Sequence, residues 1–416
     1  MYQLIRFATI LTSLVCAAAH PSTLTKRATC TVNSAGSDSV DDVPAIEAAM
    51  KSCGNGGIIL LPAEQIFTIR STWDFTGCTN CEVQIEGTLK LSDDDLDSWD
   101  HVKGAILLTN ITGATIHSKT GSGVFEGNGV LYWKSIFYLS YSQGPISFRL
   151  RFLEFAADNS FKRPSLLYIS GGSNITVENL EFRDPPNVFQ YVTDGATNIL
   201  YRGLNLNATP KDGATPKNTD GFDVVKATFV TITDTKVTNQ DDCVAFKPGS
   251  NFITVTNITC SGSHGLSVGS LAKSENDVVT NIIVDGATMI DSNKATGIKL
   301  YDGTPGHGFA TVRNVTFQNI DVQNSEYAAQ ILSCYDNKGT CIVSNHTIDG
   351  VYWKGIRGTT ATKFDPNVAD LNCPGEGICN IFFEDFTVKA PSGKANVLCS
   401  GVDSDLGVAC SGSASG

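Results

Sequence analysis

The sequence is poor in methionine, in basic residues and in amphipathic helical segments. Only 3 of its 416 residues are Met whereas 39 are Gly, a balance that is typical of short strands and turns. The 30 Lys and Arg residues are outnumbered by 42 Asp and Glu residues, which gives a formal net charge of −12. Because nucleic-acid phosphates need a basic surface, this charge argues against a nucleic-acid partner. No Pro- or Ser-rich linker divides the chain, so we expect one long domain.

The N-terminal segment has the features of a secretion signal. Arg6 precedes an apolar stretch at residues 8–15, which is followed by small residues at 17–19. The stretch is shorter than the roughly 20 residues that span a bilayer. The dibasic pair Lys26-Arg27 is typical of the end of a pro-segment. We therefore predict a signal peptide at 1–19, a pro-segment at 20–27 and a single secreted domain at 28–416, with a retained disordered start as the alternative and no membrane partner.

The cysteine count agrees with secretion. One of the 13 cysteines, Cys16, lies in the predicted signal peptide, and the remaining even number is typical of a disulfide framework. The expected pairs are Cys243 with Cys260, Cys334 with Cys341, Cys373 with Cys379 and Cys399 with Cys410, and weaker assignments are Cys30 with Cys53 and Cys78 with Cys81. The last spacing also resembles half of a zinc site, but no second pair or histidine follows nearby, so we expect no metal.

Six Asn-X-Ser/Thr sequons are candidates for N-glycosylation in that compartment. They begin at Asn110, Asn174, Asn207, Asn257, Asn314 and Asn345. Because Asn and Thr also favour turns and strand edges, we expect only two or three of them to carry glycans.

From about residue 165 the chain repeats short β-branched or aromatic strands, each followed by a turn. The copies lie at 173–182, 197–206, 229–232, 250–255, 281–284, 314–317 and 380–383. Their spacing of about 23 to 33 residues is that of a solenoid. One amphipathic helix is convincing, at 42–52, with Asp41 or Asp42 as its cap. The pattern predicts an all-β parallel β-helix with a short N-terminal capping helix, and a β-sandwich or propeller is the alternative.

Three motifs lie about one coil of this solenoid apart. They are Asn218-Thr219-Asp220-Gly221-Phe222-Asp223, Asn239-Gln240-Asp241-Asp242-Cys243 and Gly262-Ser263-His264-Gly265-Leu266-Ser267. Residues one coil apart become neighbours, so we expect the motifs to converge. Hydrolysis of a glycosidic bond needs a protonated carboxyl to release the leaving oxygen and an ionised one to activate water. The residues alone do not say which Asp keeps the proton.

These motifs, in this order, resemble glycoside hydrolase family 28, the polygalacturonase-like pectin hydrolases, over essentially the whole mature chain. The resemblance implies a right-handed, single-stranded parallel β-helix and an inverting mechanism that acts on a pectic polysaccharide. Asp241 would be the general acid, Asp220 and Asp242 would hold and activate the water, and His264 would tune the acid. Nothing in the sequence suggests a cofactor or an oligomer, so we expect none of either.

The resemblance also implies substrate-binding residues. Lys299 and Tyr335 resemble residues that engage the sugar carboxylate and ring beyond the cleaved bond, whereas Asn218 and Gln240 would position their neighbours. The chain departs from the family at Gly297-Ile298-Lys299, where polygalacturonases usually carry Arg-Ile-Lys. Loss of a bidentate Arg makes unsubstituted polygalacturonate a poorer candidate substrate. A Gly in place of a long cation is also expected to widen the cleft.

Within the family, the sequence as a whole is most similar to the fungal endo-xylogalacturonan hydrolase branch, which attacks xylose-substituted galacturonan. An exo- or endo-polygalacturonase is the next interpretation, and a rhamnogalacturonan hydrolase follows. Two other classes share the predicted fold: a calcium-dependent pectate lyase and an inactive carbohydrate-binding β-helix. A lyase would release an unsaturated product that absorbs ultraviolet light, and an inactive scaffold has no need for clustered carboxylates.

Overall fold

The structure is a computed structural model that describes residues 27–133, 135–140, 149–154, 161–403 and 405–415, with backbone alone at 135–140 and 149–154. The predicted signal peptide and nearly all of the pro-segment lie outside the described residues. The helices are α1 (Val43–Cys53) and α2 (Val130–Trp133), and short 3-10 helices cover Leu96–Trp99 and Thr362–Phe364.

The strands are β1 (Thr29–Thr31), β2 (Ile58–Leu61), β3 (Ile66–Ile69), β4 (Trp73–Asp74), β5 (Glu82–Ile85), β6 (Thr88–Leu91), β7 (Gly104–Thr109), β8 (Thr112–His117), β9 (Val124–Glu126), β10 (Ser135–Ser140), β11 (Arg149–Glu154), β12 (Ser165–Ser170), β13 (Ser173–Glu178), β14 (Glu181–Arg183), β15 (Gln190–Thr193), β16 (Thr197–Arg202), β17 (Asn205–Asn207), β18 (Phe222–Val224), β19 (Thr228–Thr238), β20 (Asp242–Phe246), β21 (Asn251–Ser261), β22 (Gly265–Leu271), β23 (Asp277–Ile290), β24 (Thr296–Leu300), β25 (Ala310–Ser325), β26 (Ala329–Leu332), β27 (Thr347–Thr360), β28 (Asn367–Asn372), β29 (Ile378–Glu384) and β30 (Asn396–Ser400).

Two parallel sheets contain all of these strands except β10 and β11, which form an antiparallel hairpin. Sheet A has 17 strands: β1, β2, β3, β5, β6, β8, β9, β13, β14, β16, β17, β19, β21, β23, β25, β27 and β29. Sheet B has 11 strands: β4, β7, β12, β15, β18, β20, β22, β24, β26, β28 and β30. The chain alternates between the sheets, so each turn stacks on the one before it. The predicted all-β, right-handed, single-stranded parallel β-helix is confirmed.

The core consists of columns of β-branched residues at equal register. In sheet A, Val230 lies opposite Ile199 on one side and Ile253 on the other, and Ile253 lies opposite Ile282. All four side chains are buried. Burying an aliphatic side chain of this kind stabilises the fold by about 1.5–3 kcal/mol, and each coil contacts only its neighbours. Equal register on successive coils is therefore what aligns residues from distant parts of the sequence.

Helix α1 covers the N-terminal end of this core. It begins at Val43, one residue later than predicted, and buries Ile46 and Met50. The Asp42 carboxylate accepts hydrogen bonds from the backbone N–H groups of Ala35 (2.8 Å) and Thr68 (2.7 Å), so it ties the start of the helix to β3. The predicted capping helix is present where the sequence places it.

The predicted repeat corresponds to sheet A. All seven predicted copies coincide with its strands, whereas β27, the strands of sheet A that precede residue 165 and the whole of sheet B are not apparent from the sequence pattern. The strands of sheet B that carry the site are short: β18 has 3 residues and β20 has 5, and every residue in both is buried. Such strands lack the alternation of buried and exposed residues that makes a half-buried strand recognisable.

Six disulfides join the cysteines that the spacing pairs. They link Cys30 to Cys53, Cys78 to Cys81, Cys243 to Cys260, Cys334 to Cys341, Cys373 to Cys379 and Cys399 to Cys410. The half zinc-site spacing of Cys78 and Cys81 is therefore occupied by a disulfide. Among the described residues, no helix combines the length and apolar composition that crossing a membrane requires.

The sequon asparagines differ in their surroundings. The exposed ones are Asn110, Asn174, Asn257, Asn314 and Asn345, whereas Asn207 is partly buried. Two of the exposed side chains bond to the preceding coil, since Asn257 Nδ2 donates to Asp234 Oδ1 (2.7 Å) and Asn314 Nδ2 donates to Asn281 Oδ1 (2.6 Å). Glycan attachment stays a prediction, and a glycan at either of these two nitrogens would leave it only one N–H for the bond between adjacent coils.

Candidate active site

The outer face of sheet B brings the three predicted motifs together. Asp223, Ala245, Ser267 and Gly297 occupy the same register on β18, β20, β22 and β24. Between Asp242 and Val244 the register of β20 against β22 shifts, which marks a β-bulge. Bulges of this kind redirect side chains and are frequent beside active sites. The convergence predicted from the sequence is present.

The buried side chain of Asn239 links the first motif to the second. It is fully buried, and its Nδ2 donates to the carbonyl oxygens of Thr219 (2.7 Å) and Asp242 (2.9 Å). These bonds fix the turn that carries one acid against the turn that carries the next. The sequence motif contains Asn239, but its spacing alone does not reveal this positioning role.

Asp220 is buried in a group with Asp223 and Lys247. The Lys247 ammonium lies 3.0 Å from Asp223 Oδ2 and 3.7 Å from Asp220 Oδ2. Burial, the adjacent Asp223 and the nearby Asp241 hold the pKa of Asp220 well above its usual range, although Lys247 opposes them. Burial also raises the pKa of Asp223, against the effect of Lys247. Two carboxyls therefore share one cation, and Asp220 favours its protonated form.

Asp242 has the opposite electrostatic environment. Its Oδ2 lies 2.5 Å from the Lys299 ammonium, and its Oδ1 accepts a hydrogen bond from Ser267 Oγ (2.8 Å). Burial disfavours the carboxylate, but Lys299 and Lys294 outweigh it and lower the pKa of Asp242 to about 2. Asp242 is therefore ionised in neutral and in moderately acidic solution. Lys299, which the sequence predicts to bind substrate, therefore also forms an ion pair with Asp242.

Asp241 is the most accessible of the three predicted acids. Its side chain is 18% exposed, and its Oδ1 lies 3.1 Å from Nδ1 of His264, which is 40% exposed. The same oxygen accepts the backbone N–H of Asp242 (2.8 Å), and the carbonyl of Asp241 accepts the N–H of His264 (2.7 Å). An acid that is open to the cleft and held by neighbours on two coils is suited to protonating a bound sugar oxygen.

Asn218 and Gln240 lie beside the acids. Asn218 Nδ2 is 3.5 Å from Asp241 Oδ2, and Asn218 Oδ1 accepts a hydrogen bond from Arg163 Nη2 (2.6 Å). Arg163, which the sequence analysis misses, precedes Asn218 by 55 residues and lies outside every motif. The backbone N–H of Gln240 donates to Thr219 Oγ1 (3.2 Å). These contacts are those of positioning residues.

Aromatic residues flank the carboxylates along the cleft. On one side Tyr168 and Tyr191 stack with ring centroids 4.7 Å apart, and Tyr191 lies opposite Asp223 in register. On the other side the Lys299 ammonium lies 5.4 Å from the centre of the Tyr335 ring. Tyr335 also lines a polar pocket of about 500 Å³ beside Tyr301. Amphipathic rings of this type supply contact area for a sugar chain.

The surroundings of Gly297 differ from the expectation of a wider cleft. The aliphatic stem of Lys294 lies over this glycine: a Cβ at position 297 would be 2.6 Å from Lys294 Cδ and 2.7 Å from Cε. The space above Gly297 is therefore filled by a lysine that begins three residues earlier. The motif does not reveal this contact, because the course of a long side chain depends on packing.

The described residues contain one cluster with metal-ligand geometry, formed by Asp241, Asp242 and His264, whose ligand atoms lie within 4.8 Å of one another. Asp242 already pairs with Lys299, and Asp241 Oδ1 lies 3.1 Å from Nδ1 of His264. The arrangement is suited to acid–base chemistry: one carboxylate is ionised, another carboxyl favours its proton, and an accessible acid lies beside them.

Comparison with known proteins agrees with this chemistry. The profile of Glycosyl hydrolases family 28 matches residues 58–410. The chain belongs to this family. It is therefore a glycoside hydrolase of an inverting, pectin-degrading family.

Two fungal relatives extend the match. The chain is similar to endo-xylogalacturonan hydrolase A of Aspergillus tubingensis, with 46% identity over 401 residues that cover 96% of this chain and 94% of the relative. The "probable endo-xylogalacturonan hydrolase A" of Aspergillus oryzae is 46% identical over 397 residues, 95% of this chain and 93% of the relative. The crystal structure of the Aspergillus tubingensis endo-xylogalacturonan hydrolase matches with a TM-score of 0.87 and 47% identity, over 94% of this chain and 100% of that one.

Proposed function

We propose that this protein is a secreted endo-xylogalacturonan hydrolase that acts as a monomer on α-1,4-linked, xylose-substituted galacturonan. The observation that carries the proposal is that three carboxyls on adjacent coils have different electrostatic environments and different exposure. Asp242 is ionised by Lys299, Asp220 favours its proton, and Asp241 lies open to the cleft. The names of the relatives supply the substrate, and their similarity extends over nearly the whole chain.

In the proposed mechanism Asp241 is the general acid. Its position beside the partly exposed His264 lets it protonate the glycosidic oxygen as the bond breaks, and His264 influences its protonation. Asp242, as the ionised partner, accepts a proton from the attacking water. Asp220 holds that water by hydrogen bonding from the neighbouring coil. The chain's own residues thus provide the acid and the base, without a cofactor.

A comparison of substrates tests the proposal. The purified mature protein is incubated with xylogalacturonan and with de-esterified polygalacturonate, and new reducing ends and product sizes are followed. We expect faster cleavage of xylogalacturonan, with products of intermediate length that indicate internal cleavage. Faster cleavage of the unsubstituted polymer would instead assign a polygalacturonase.

Two controls separate the other classes. Ultraviolet absorbance of the products, abolished by a chelator, would indicate a pectate lyase. The Asp241→Asn variant reports any contaminating hydrolase. If xylogalacturonan binds but neither polymer is cleaved by the folded protein, the chain is a carbohydrate-binding β-helix and the proposal is wrong.

A further inference from the structure

Lys294 is a buried cation with no carboxylate partner in the described part of the chain. The residue is 4% exposed, and the hydrogen bond of its ammonium runs to the carbonyl oxygen of His264 (Nζ–O 2.6 Å). No described Asp or Glu oxygen lies within 4.0 Å of this nitrogen, whereas Lys247 and Lys299 are paired at 3.0 Å and 2.5 Å. Of the three lysines at the site, Lys294 is therefore the one whose ammonium pairs with no described carboxylate and keeps N–H donors available.

An unpaired buried charge is costly, because transfer out of water is not repaid by a counter-ion. Burial and the adjacent Lys299 lower the pKa of Lys294 to about 8, while Asp242, Asp241 and Glu326 oppose the shift. The ammonium is therefore charged in neutral and acidic solution. Groups kept in such an environment are concentrated at functional sites, where a ligand can complete the pairing.

Burial of Lys294 does not by itself prevent contact with a bound substrate. Lys299, which is 6% exposed, is buried to a similar extent and contacts Asp242. The carbonyl of His264, to which Lys294 donates, belongs to a residue whose side chain is 40% exposed to the cleft. An ammonium has three N–H donors, so the bond to His264 leaves two available.

Gly297 is what permits this position of the lysine. Any Cβ at 297 would overlap the Lys294 stem, at 2.6 Å from Cδ and 2.7 Å from Cε, and would lie 2.8 Å from the carbonyl oxygen of Gln330. Ser267, on the neighbouring coil in the same register, donates to Asp242. The absence of a side chain at 297 thus lets a cation from the preceding turn extend toward the carboxylate cluster.

We propose that Lys294 binds a carboxylate of the galacturonan chain beside the bond that is cleaved. This inference rests on the proposed function, because the anion is a uronate of that substrate. The two available N–H donors hydrogen-bond the sugar carboxylate, and Lys299 and Tyr335 contact the same part of the chain. Lys294 and Gly297 together are therefore a determinant of substrate specificity in this enzyme.

The test changes the lysine and the substrate carboxylate separately and together, as in a double-mutant cycle. Wild type and Lys294→Met are assayed on xylogalacturonan with free carboxylates and on its methyl ester. We expect the substitution to lower kcat/KM about 10- to 100-fold on the free acid, the range for hydrogen bonds to charged groups. On the ester the loss should be clearly smaller than on the free acid, because the charge that Lys294 binds is absent and only the effect of Lys294 on the pKa of Asp242 remains. An equal loss on both substrates, or no loss on either, would overturn the proposal.

Further variants exclude a purely structural role. Lys294→Gln removes the charge but keeps a donor for the His264 carbonyl, so recovery of wild-type kcat/KM by Gln would show that the backbone bond, not the charge, matters. Lys354→Met removes a lysine on sheet A that pairs with Glu384 (3.6 Å). This variant should leave kcat/KM on both substrates unchanged. Without substrate, Lys294→Met should unfold at the same or a higher temperature than wild type, since an unpaired buried charge is removed.

The outcome is separable from the proposed function. If wild type cleaves neither form of xylogalacturonan, the proposed function fails and the cycle has no signal. If wild type cleaves both and Lys294→Met lowers the two rates equally, only the role of Lys294 fails.

Discussion

The ammonium of Lys299 lies 2.5 Å from Oδ2 of Asp242, and both side chains are buried. This contact separates Asp242 from Asp220, which occupies the neighbouring coil and has no lysine so close. Both carboxyls are buried, yet the pKa of one is lowered to about 2 and that of the other is raised. The cation therefore decides which of the two buried carboxyls is ionised.

Substitution of Lys299 should therefore change the pH dependence of catalysis. In Lys299→Met, burial of Asp242 is no longer opposed by this ammonium, so its pKa rises and the base is protonated in acid. We expect the acidic limb of the kcat/KM profile to move to higher pH by about one unit or more. Profiles of wild type and variant on xylogalacturonan measure the shift. A lower rate with an unmoved acidic limb would mean that Lys299 acts on the substrate alone.

Loss of Lys247 should destabilise the fold most at neutral pH. Without it, Asp220 and Asp223 are buried with no cation, which we expect to cost about 1–3 kcal/mol because nearly a third of the Lys247 side chain is exposed. Since the folded-state pKa of each carboxyl is raised, both take up protons as the pH falls, and the deficit of Lys247→Met should shrink in acid. Urea unfolding at pH 7 and pH 4 tests this, and equal deficits would contradict it.

Asp241→Asn should remove turnover and leave the fold intact. Asn has nearly the same shape and can still accept the N–H of Asp242, but it cannot supply a proton. General acid catalysis contributes about 10²–10⁴-fold, so kcat should fall by that factor. Reducing-end assays give kcat, and thermal unfolding should show a melting temperature close to that of wild type. A folded variant with undiminished kcat would assign the acid elsewhere.

The products should have inverted anomeric configuration. Ligand oxygens of Asp241 and Asp242 lie within 4.8 Å of one another, closer than the roughly 6.5–9.5 Å that is usual for inverting pairs. The spacing rule alone would predict retention. We expect inversion because Asp242 activates a water together with Asp220 rather than attacking the sugar itself. Proton NMR of the first products distinguishes the outcomes, and an initial α-anomer would require Asp242 to act as a nucleophile.

The disulfide between Cys243 and Cys260 should support both stability and rate. It closes a 17-residue separation and follows Asp242 directly, at the β-bulge. Replacing both cysteines with Ser should lower the free energy of unfolding by about 3 kcal/mol and should also lower kcat. The matched control removes Cys78 and Cys81, which are only 3 residues apart and distant from the bulge in sequence. That variant should keep its kcat, and an equal loss of kcat in both would argue against a local role.

The sequence predicts the parts of the site that depend on coil register. Asp220, Asp241 and His264 converge because each coil stacks on the one before it, with a single register shift at the β-bulge, so residues about one coil apart in sequence become neighbours in space. Arg163 could not be found in this way, since it reaches Asn218 from a different coil and no motif surrounds it. Lys294 was missed for another reason: only its path over Gly297 brings it to the site.

Except at the β-bulge, equal register on stacked coils fixes the distances between the backbone positions that carry the site residues. Neighbouring strands lie about 4.8 Å apart, so groups contributed by successive turns can sit only at multiples of that step. Loops between the turns can lengthen without moving any of these groups, because the step is set by backbone pairing. New specificity on this scaffold can therefore arise from side chains exchanged at fixed strand positions, such as a larger side chain in place of Gly297, and from residues of the turns, such as Lys294.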